Sequence, residues 1–198
     1  MQEKDEIGCC AMRERVLEAA REAFMRDGYR TSMDAIAAQA GVAKQTLYNH
    51  FPNKAALFGA TACAASAVIV VSLAGSGELR DALLAFGRSF RQRALGEEGL
   101  AMFRVVTGEG RRFPEMNQSF FDSGPRRTVA GLSEFLARAM TEGKLRQDDP
   151  QFAAEMLVGM LLGLDHARRL CLTALPEEPE EQRLARIVDC FLRAFVAH

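Results

Sequence analysis

There is no tryptophan in these 198 residues, and only two tyrosines, six prolines and three histidines. Histidines at 50, 166 and 198 leave no metal-ligand spacing. With no GxGxxG turn and no Ser-His-Asp order in a strand-turn context, no catalytic chemistry is assembled. The protein is therefore expected not to be an enzyme and to need neither metal nor cofactor. Strand-type alternation is missing, as is any repeat, so the expected class is all-α. The five cysteines form no CxxC pair, and no basic-apolar-small segment opens the chain, which predicts reduced thiols and a cytoplasmic location. Net charge is also lacking: at -1, overall basicity does not advertise a polyanion, and any nucleic acid must be met by a local surface. Only one long uncharged run occurs, Leu57 to Ala74. Its first part is Ala, Gly, Ser, Thr and Cys, which gain little from lipid, so it is expected to be a core helix and not a membrane span.

What the chain does contain is helical periodicity. A composition of 48% hydrophobic and 26% charged residues is ordinary for a globular protein and excludes the disordered class. Met1 to Cys10 has no periodicity and is expected to fray. Met12, Val16, Ala20 and Phe24 then share one helical face, with Gly28 as the stop. Thr31 and Asp34 match a capping box for a second helix with the stripe Met33, Ile36, Ala37 and Ala40. It ends at Gly41, which suits the left-handed conformation of a tight interhelical turn. A third helix is predicted from Lys44 to His50. At about 100° per residue, Leu47 and Phe51 share the buried sector, while Gln45 and Asn49 lie about 160° from Leu47, with Thr46 and Tyr48 on the flanks. Pro52 ends this helix and Asn53 caps the next. Amides pair with adenine edges, and Thr, Tyr and Lys side chains suit phosphate oxygens, so this outer face fits groove reading. Plain solvation of Gln45 and Asn49 fits the same wheel. His50, about 60° from Leu47, suits packing as well.

Gly41-Val42, Thr46-Leu47-Tyr48, His50-Phe51 and Lys54-Ala55-Ala56-Leu57, preceded by Thr31, Ile36-Ala37 and Ala40, resemble the DNA-binding domain of TetR-family transcriptional regulators over about Arg15 to Phe58. The family commonly carries Ser or Thr where Ala43 stands, so a side-chain cap on the third helix is missing here. The resemblance implies that this helix reads the major groove, with Lys44, Gln45, Thr46, Tyr48, Asn49 and His50 facing DNA. It also implies that Thr31 and Lys54 touch phosphates. The implied organisation is a helix-turn-helix DNA-binding domain over 1–54 and a helical ligand-binding and dimerisation domain over 55–198.

Beyond the fourth helix, apolar stripes alternate with breakers: Leu79, Leu83, Phe86 and Phe90, then Gly96 to Gly99, then Leu100 to Gly110, then Met116 to Met140 interrupted at Gly124-Pro125. Met156 to Leu164 is apolar around nearly its whole circumference and needs burial on two sides. Gly159 and Gly163 would allow close helix approach, and the last helix carries Leu184, Ile187, Val188, Phe191, Leu192 and Phe195. The expected reading is a homodimer through a four-helix bundle, with the core helix of a monomer as the other, and a two-fold dimer calls for a palindromic double-stranded operator. Phe86, Phe90, Phe103, Phe120, Phe121 and Phe135 sit on successive helices as candidates for an apolar effector chamber with Thr107, although stripes at this spacing more often pack. Glu109, Asp165 and His166 are the ionisable candidates to orient a small lipophilic effector, and His166 fits an interface role equally well. The C-terminal half also resembles the AcrR-type branch of the family, which implies release from DNA through movement of the fourth helix. The alternative function is a thiol-based redox-sensing regulator using Cys9-Cys10, Cys63, Cys171 or Cys190. Cys63 and Cys190 are expected on apolar, inert faces.

Overall fold

Runs rich in Ala, Leu, Arg and Glu, broken by Gly and Pro, dictate helices here. The computed structural model describes residues 2–74 and 77–196, with side chains from residue 11 onward. All regular structure among the described residues is helical, as expected. In order the elements are α1 (Gln2–Asp27), a 3₁₀ turn (Gly28–Arg30), α2 (Met33–Ala40), α3 (Lys44–His50), α4 (Lys54–Val71), a second 3₁₀ turn (Ser72–Ala74), α5 (Leu79–Ala94) and α6 (Glu97–Glu109). They are followed by α7 (Pro114–Ser123), α8 (Pro125–Thr141), α9 (Pro150–Leu170) and α10 (Glu180–Ala194). Helix α1 starts at Gln2, well before the periodic residue Met12. The expected Cys9-Cys10 thiols lie outside the described side chains.

Two compact units emerge: Met1–Ala64 with Ala101–Gly124, and Ala65–Leu100 with Pro125–His198. This division differs from a cut at 54/55. Its physical reason is one apolar cluster that joins Val16, Phe24, Tyr29, Ile36, Leu47, Phe51 and Phe58 to Met102 and Met116, with Phe113 and Phe120 packed on it. Phe58 is central: its ring meets Phe24 edge-on at 4.9 Å, Tyr29 at 5.5 Å and Phe120 at 6.0 Å. Burying such a ring contributes roughly 1.5–3 kcal/mol.

In the second unit, Leu83, Phe86, Leu132, Leu136, Leu157, Leu161, Leu184, Val188 and Phe191 form the core. The buried hydroxyls of Ser66 and Thr128 satisfy each other at 2.8 Å. Helix α9 opens as expected, with Asp149 Oδ1 accepting the Gln151 N–H and Pro150 in the first turn. Gly163 interrupts α9. Nothing lies within 4 Å of a Cβ placed there, and its backbone, at φ 46° and ψ -146°, breaks the helix. Only glycine adopts that conformation readily.

The stretch Lys54–Ala74 is long and apolar enough to cross a membrane by length and composition alone, and 44% of its most apolar window is buried. Leu57, Phe58, Ile69 and Leu73 are all buried, which fits a core helix, while Val68 and Val71 are exposed.

Candidate functional site

Helix α3 is held from beneath. Gly41 takes the left-handed conformation at φ 64°, and its N–H and that of Val42 donate to Ala38 O and Ala37 O, closing α2 and turning the chain into α3. Arg15 Nη2 adds a hydrogen bond to Ala40 O at 2.7 Å, a support contributed by α1 that no local pattern announces. Leu47 and Phe51 are buried, as the wheel requires. Lys44, Gln45, Tyr48 and Asn49 are exposed; Thr46 and His50 are half-buried.

Cap positions depart from expectation at one point. Ser32, and not Thr31, caps α2: its Oγ accepts the Ala35 N–H at 3.1 Å. Thr31 is instead buried. Asp34, expected to complete the capping box, accepts from Lys44 Nζ at 2.8 Å and ties α2 to α3. That hydrogen bond, with the attraction of the carboxylate, raises the Lys44 pKa. Ala43 starts α3 with no side-chain cap, in extended backbone at ψ 141°. Asn53 caps α4 as read from the sequence, accepting from Ala56 N at 2.8 Å.

Lys54 faces inward. Its Nζ donates to Tyr29 O at 2.6 Å and Thr31 O at 3.1 Å, and sits 4.4 Å from the centre of the Tyr29 ring. Burial lowers its pKa, partly offset by the charges of Glu109 and Glu115. Burial, with Glu115 nearby, pushes the Tyr29 hydroxyl up to about 12. Glu109 Oε1 accepts the Tyr29 N–H at 3.2 Å, so this carboxylate belongs to the α1–α2 turn. Its other oxygen is buried without a partner.

The aromatic residues expected at an effector divide between the units. Phe103, Thr107, Phe120 and Phe121 belong to the first; Phe86, Phe90, Phe135 and His166 belong to the second. Phe86 and Phe90 are buried and stacked at 5.9 Å, which makes them packing elements of the core. Thr107 Oγ1 bonds back to Phe103 O at 2.8 Å, Phe120 is half-buried, and Phe121 is exposed. Burial lowers the His166 pKa.

Asp165 is buried and holds three guanidinium groups, from Arg91 at 3.0 Å, Arg168 at 3.0 Å and Arg183 at 2.7 Å. Burial alone would raise its pKa, but the hydrogen bonds from Arg91, Arg183 and Arg168 outweigh that and hold the carboxyl below its ordinary value. Arg91 also donates to Leu161 O beside the break at Gly163. Cys190, expected on an apolar face, is exposed because Leu184, Val188, Phe191 and Phe195 take the inner face of α10. Cys171 is exposed and Cys63 half-buried. Among the described residues nothing supports the redox alternative.

Residues 16–61 match the family model for bacterial regulatory proteins of the tetR family, and residues 81–197 match the C-terminal domain of AefR-like transcriptional repressors. No curated protein matches the chain. Among solved structures, the flavonoid-responsive regulator FrrA is 34% identical, with 93% of this chain and 96% of that chain covered and a TM-score of 0.70. A TetR-family transcriptional regulator from Mesorhizobium loti MAFF303099 is 26% identical over 94% and 96% of the two chains, at a TM-score of 0.73. The SmeT–triclosan complex is 27% identical over 94% and 92%, at 0.62.

Proposed function

The chain belongs to the TetR family of transcriptional regulators, and on that premise we propose that it is a cytoplasmic, ligand-responsive repressor that binds a palindromic operator as a homodimer. The observation that carries this is α3, a seven-residue helix that buries Leu47 while Gln45, Tyr48 and Asn49 stay exposed. An outer face built of amides, a hydroxyl and a lysine suits base edges flanked by phosphates. In this assignment Lys44, Gln45, Thr46, Tyr48, Asn49 and His50 form the DNA face. Thr31 and Lys54 border it, with Lys54 holding the turn that carries Thr31. Functionally, residues 1–54 read DNA and residues 55–198 sense and dimerise.

The dimer reading is supported by α9, where Phe152, Met156 and Leu164 are 51%, 43% and 66% exposed. A row of large apolar side chains in water is what a second copy would cover. Helix α10 buries Leu184, Val188, Phe191 and Phe195 within its own unit and contributes a more polar outer face. A lipophilic effector is supported by the aromatic side chains Phe103, Phe120 and Phe121 on α6 and α7. It also agrees with the flavonoid-responsive regulator and the triclosan complex among the similar structures.

Selection of bound duplexes from a random pool, followed by gel shifts, tests the proposal. Enrichment of an inverted repeat bound by two copies is expected. Equal retention of all sequences would sink it.

A further inference from the structure

The end of α5, the end of α9 and the start of α10 enclose a cleft of about 530 Å³, a size suited to a small molecule. Its lining combines arginines with an apolar wall of Leu95, Leu175, Pro176 and Leu184. The Arg91 side chain is only 3% exposed, and the side of its guanidinium away from Leu161 is held by Glu180, whose side chain is 56% exposed. Arg88 is engaged in the same two-point manner by the exposed Glu181, at 2.8 and 2.7 Å. Arg169 lines the cleft and has no acid partner among the described residues. Pairs closed by such exposed carboxylates contribute little and exchange readily with a competing anion. Asp165 is different: three arginines and burial fix it in place.

We propose that this cleft binds small amphipathic carboxylates, the ligand's carboxylate replacing Glu180 on Arg91 with Arg88 and Arg169 alongside, and its apolar body resting on Leu95, Leu175 and Leu184. A planar guanidinium fork matches a carboxylate at two points, and a largely buried one does so with little competition from water. A cationic ligand would have to displace a guanidinium from Asp165, Glu178, Glu180 or Glu181, whereas a carboxylate displaces only the exposed Glu180 from the buried Arg91. The same guanidinium reaches Leu161 O and Asp165 on either side of Gly163, so an occupant acts directly on the broken segment of α9. This site is built entirely from residues of the second unit, and its occupancy does not depend on the operator reading.

Calorimetric titration of the full chain with 4-phenylbutyrate, 4-phenylbutanol and inorganic phosphate tests the assignment. Saturable binding of the acid is expected, with the alcohol and phosphate each at least tenfold weaker. Replacing Arg88→Gln and Arg169→Gln together should weaken the acid at least tenfold. Glu180→Gln removes the competing carboxylate and should tighten it severalfold, a gain that a merely structural role for Glu180 does not give. No binding of the acid, equal binding of acid and alcohol, phosphate binding as tightly as the acid, or no gain with Glu180→Gln overturns the proposal. No DNA enters the measurement, so its failure leaves the operator reading standing, and the reverse holds too.

Discussion

Gln45 donates its Nε2 to Oδ1 of Asn49 at 3.0 Å, one turn along the exposed face of α3. The bond leaves Gln45 Oε1 as an acceptor and Asn49 Nδ2 as a donor, side by side, which is the complement of the adenine N6–H and N7 pair. The two amides should therefore act as one unit. Gln45→Ala is expected to cost about 1–3 kcal/mol on the selected operator and little on random duplex. The double change with Asn49→Ala should cost less than the sum of the two single changes, because each already breaks the pair. Strict additivity in gel-shift affinities would mean that they read separate positions.

Ala43 occupies the cap position of α3 in the extended conformation a cap requires, but offers no oxygen. Ala43→Ser should stabilise the protein by about 1 kcal/mol, seen as a higher urea midpoint with an unchanged slope. A midpoint that stays put or falls would show that the first N–H groups of α3 are already satisfied.

Lys54 spends its ammonium on the carbonyls of Tyr29 and Thr31. Lys54→Met keeps the stem and leaves both acceptors unmet, an expected loss of about 2–3 kcal/mol in urea unfolding. Operator affinity should fall while the slope of log K against log salt stays close to that of the parent. A slope reduced by about one would instead mark Lys54 as a direct phosphate contact.

The exposed apolar row on α9 makes its own prediction. Phe152→Glu together with Met156→Glu should place like charges across a two-fold axis and give monomers by light scattering. Helicity should be unchanged. A persistent dimer would move the interface elsewhere.

The α2–turn–α3 arrangement was legible because its determinants are local: Gly41 ends one helix, and Leu47 and Phe51 fix the facing of the next. The cap of α2 falls one residue beyond the position its sequence pattern suggests, since Thr31 and Ser32 are chemically interchangeable there. What separates them is burial of Thr31, and Lys54, more than twenty residues away, bonds its carbonyl. Nothing local links Glu109 to the N–H of Tyr29 or Arg91 to Asp165. Helical spacing found the aromatic residues of the later helices but could not say that Phe86 and Phe90 pack inward while Phe121 faces water. Periodicity assigns a side chain to a face, and only the neighbouring helices decide what that face meets.

Asp165 ties stability to pH. Its carboxyl titrates below the unfolded value of about 3.9, so its stabilisation is complete above that value and is lost as pH falls through the lower, folded pKa. Asp165→Asn should cost about 1.5–3 kcal/mol near neutral pH, because Arg91, Arg168 and Arg183 lose the buried carboxylate they share and Arg91 keeps only Glu180. The gap between variant and parent should close on acidification below about pH 4. Urea melts between pH 3 and 7 that remain parallel would rule out the linkage.

The first compact unit is not contiguous along the chain: Met102, Phe113, Met116 and Phe120, which complete its apolar cluster, follow Ala64 only after the whole of α5 has been made. During synthesis at roughly 5–20 residues per second, the helix-turn-helix therefore waits on the order of several seconds for the segment that closes its core. A nascent chain arrested near Ala64 should be readily digested by protease, and one extended past Gly124 should resist. DNA-binding competence would then arise late on the ribosome, well after the residues of α3 have emerged.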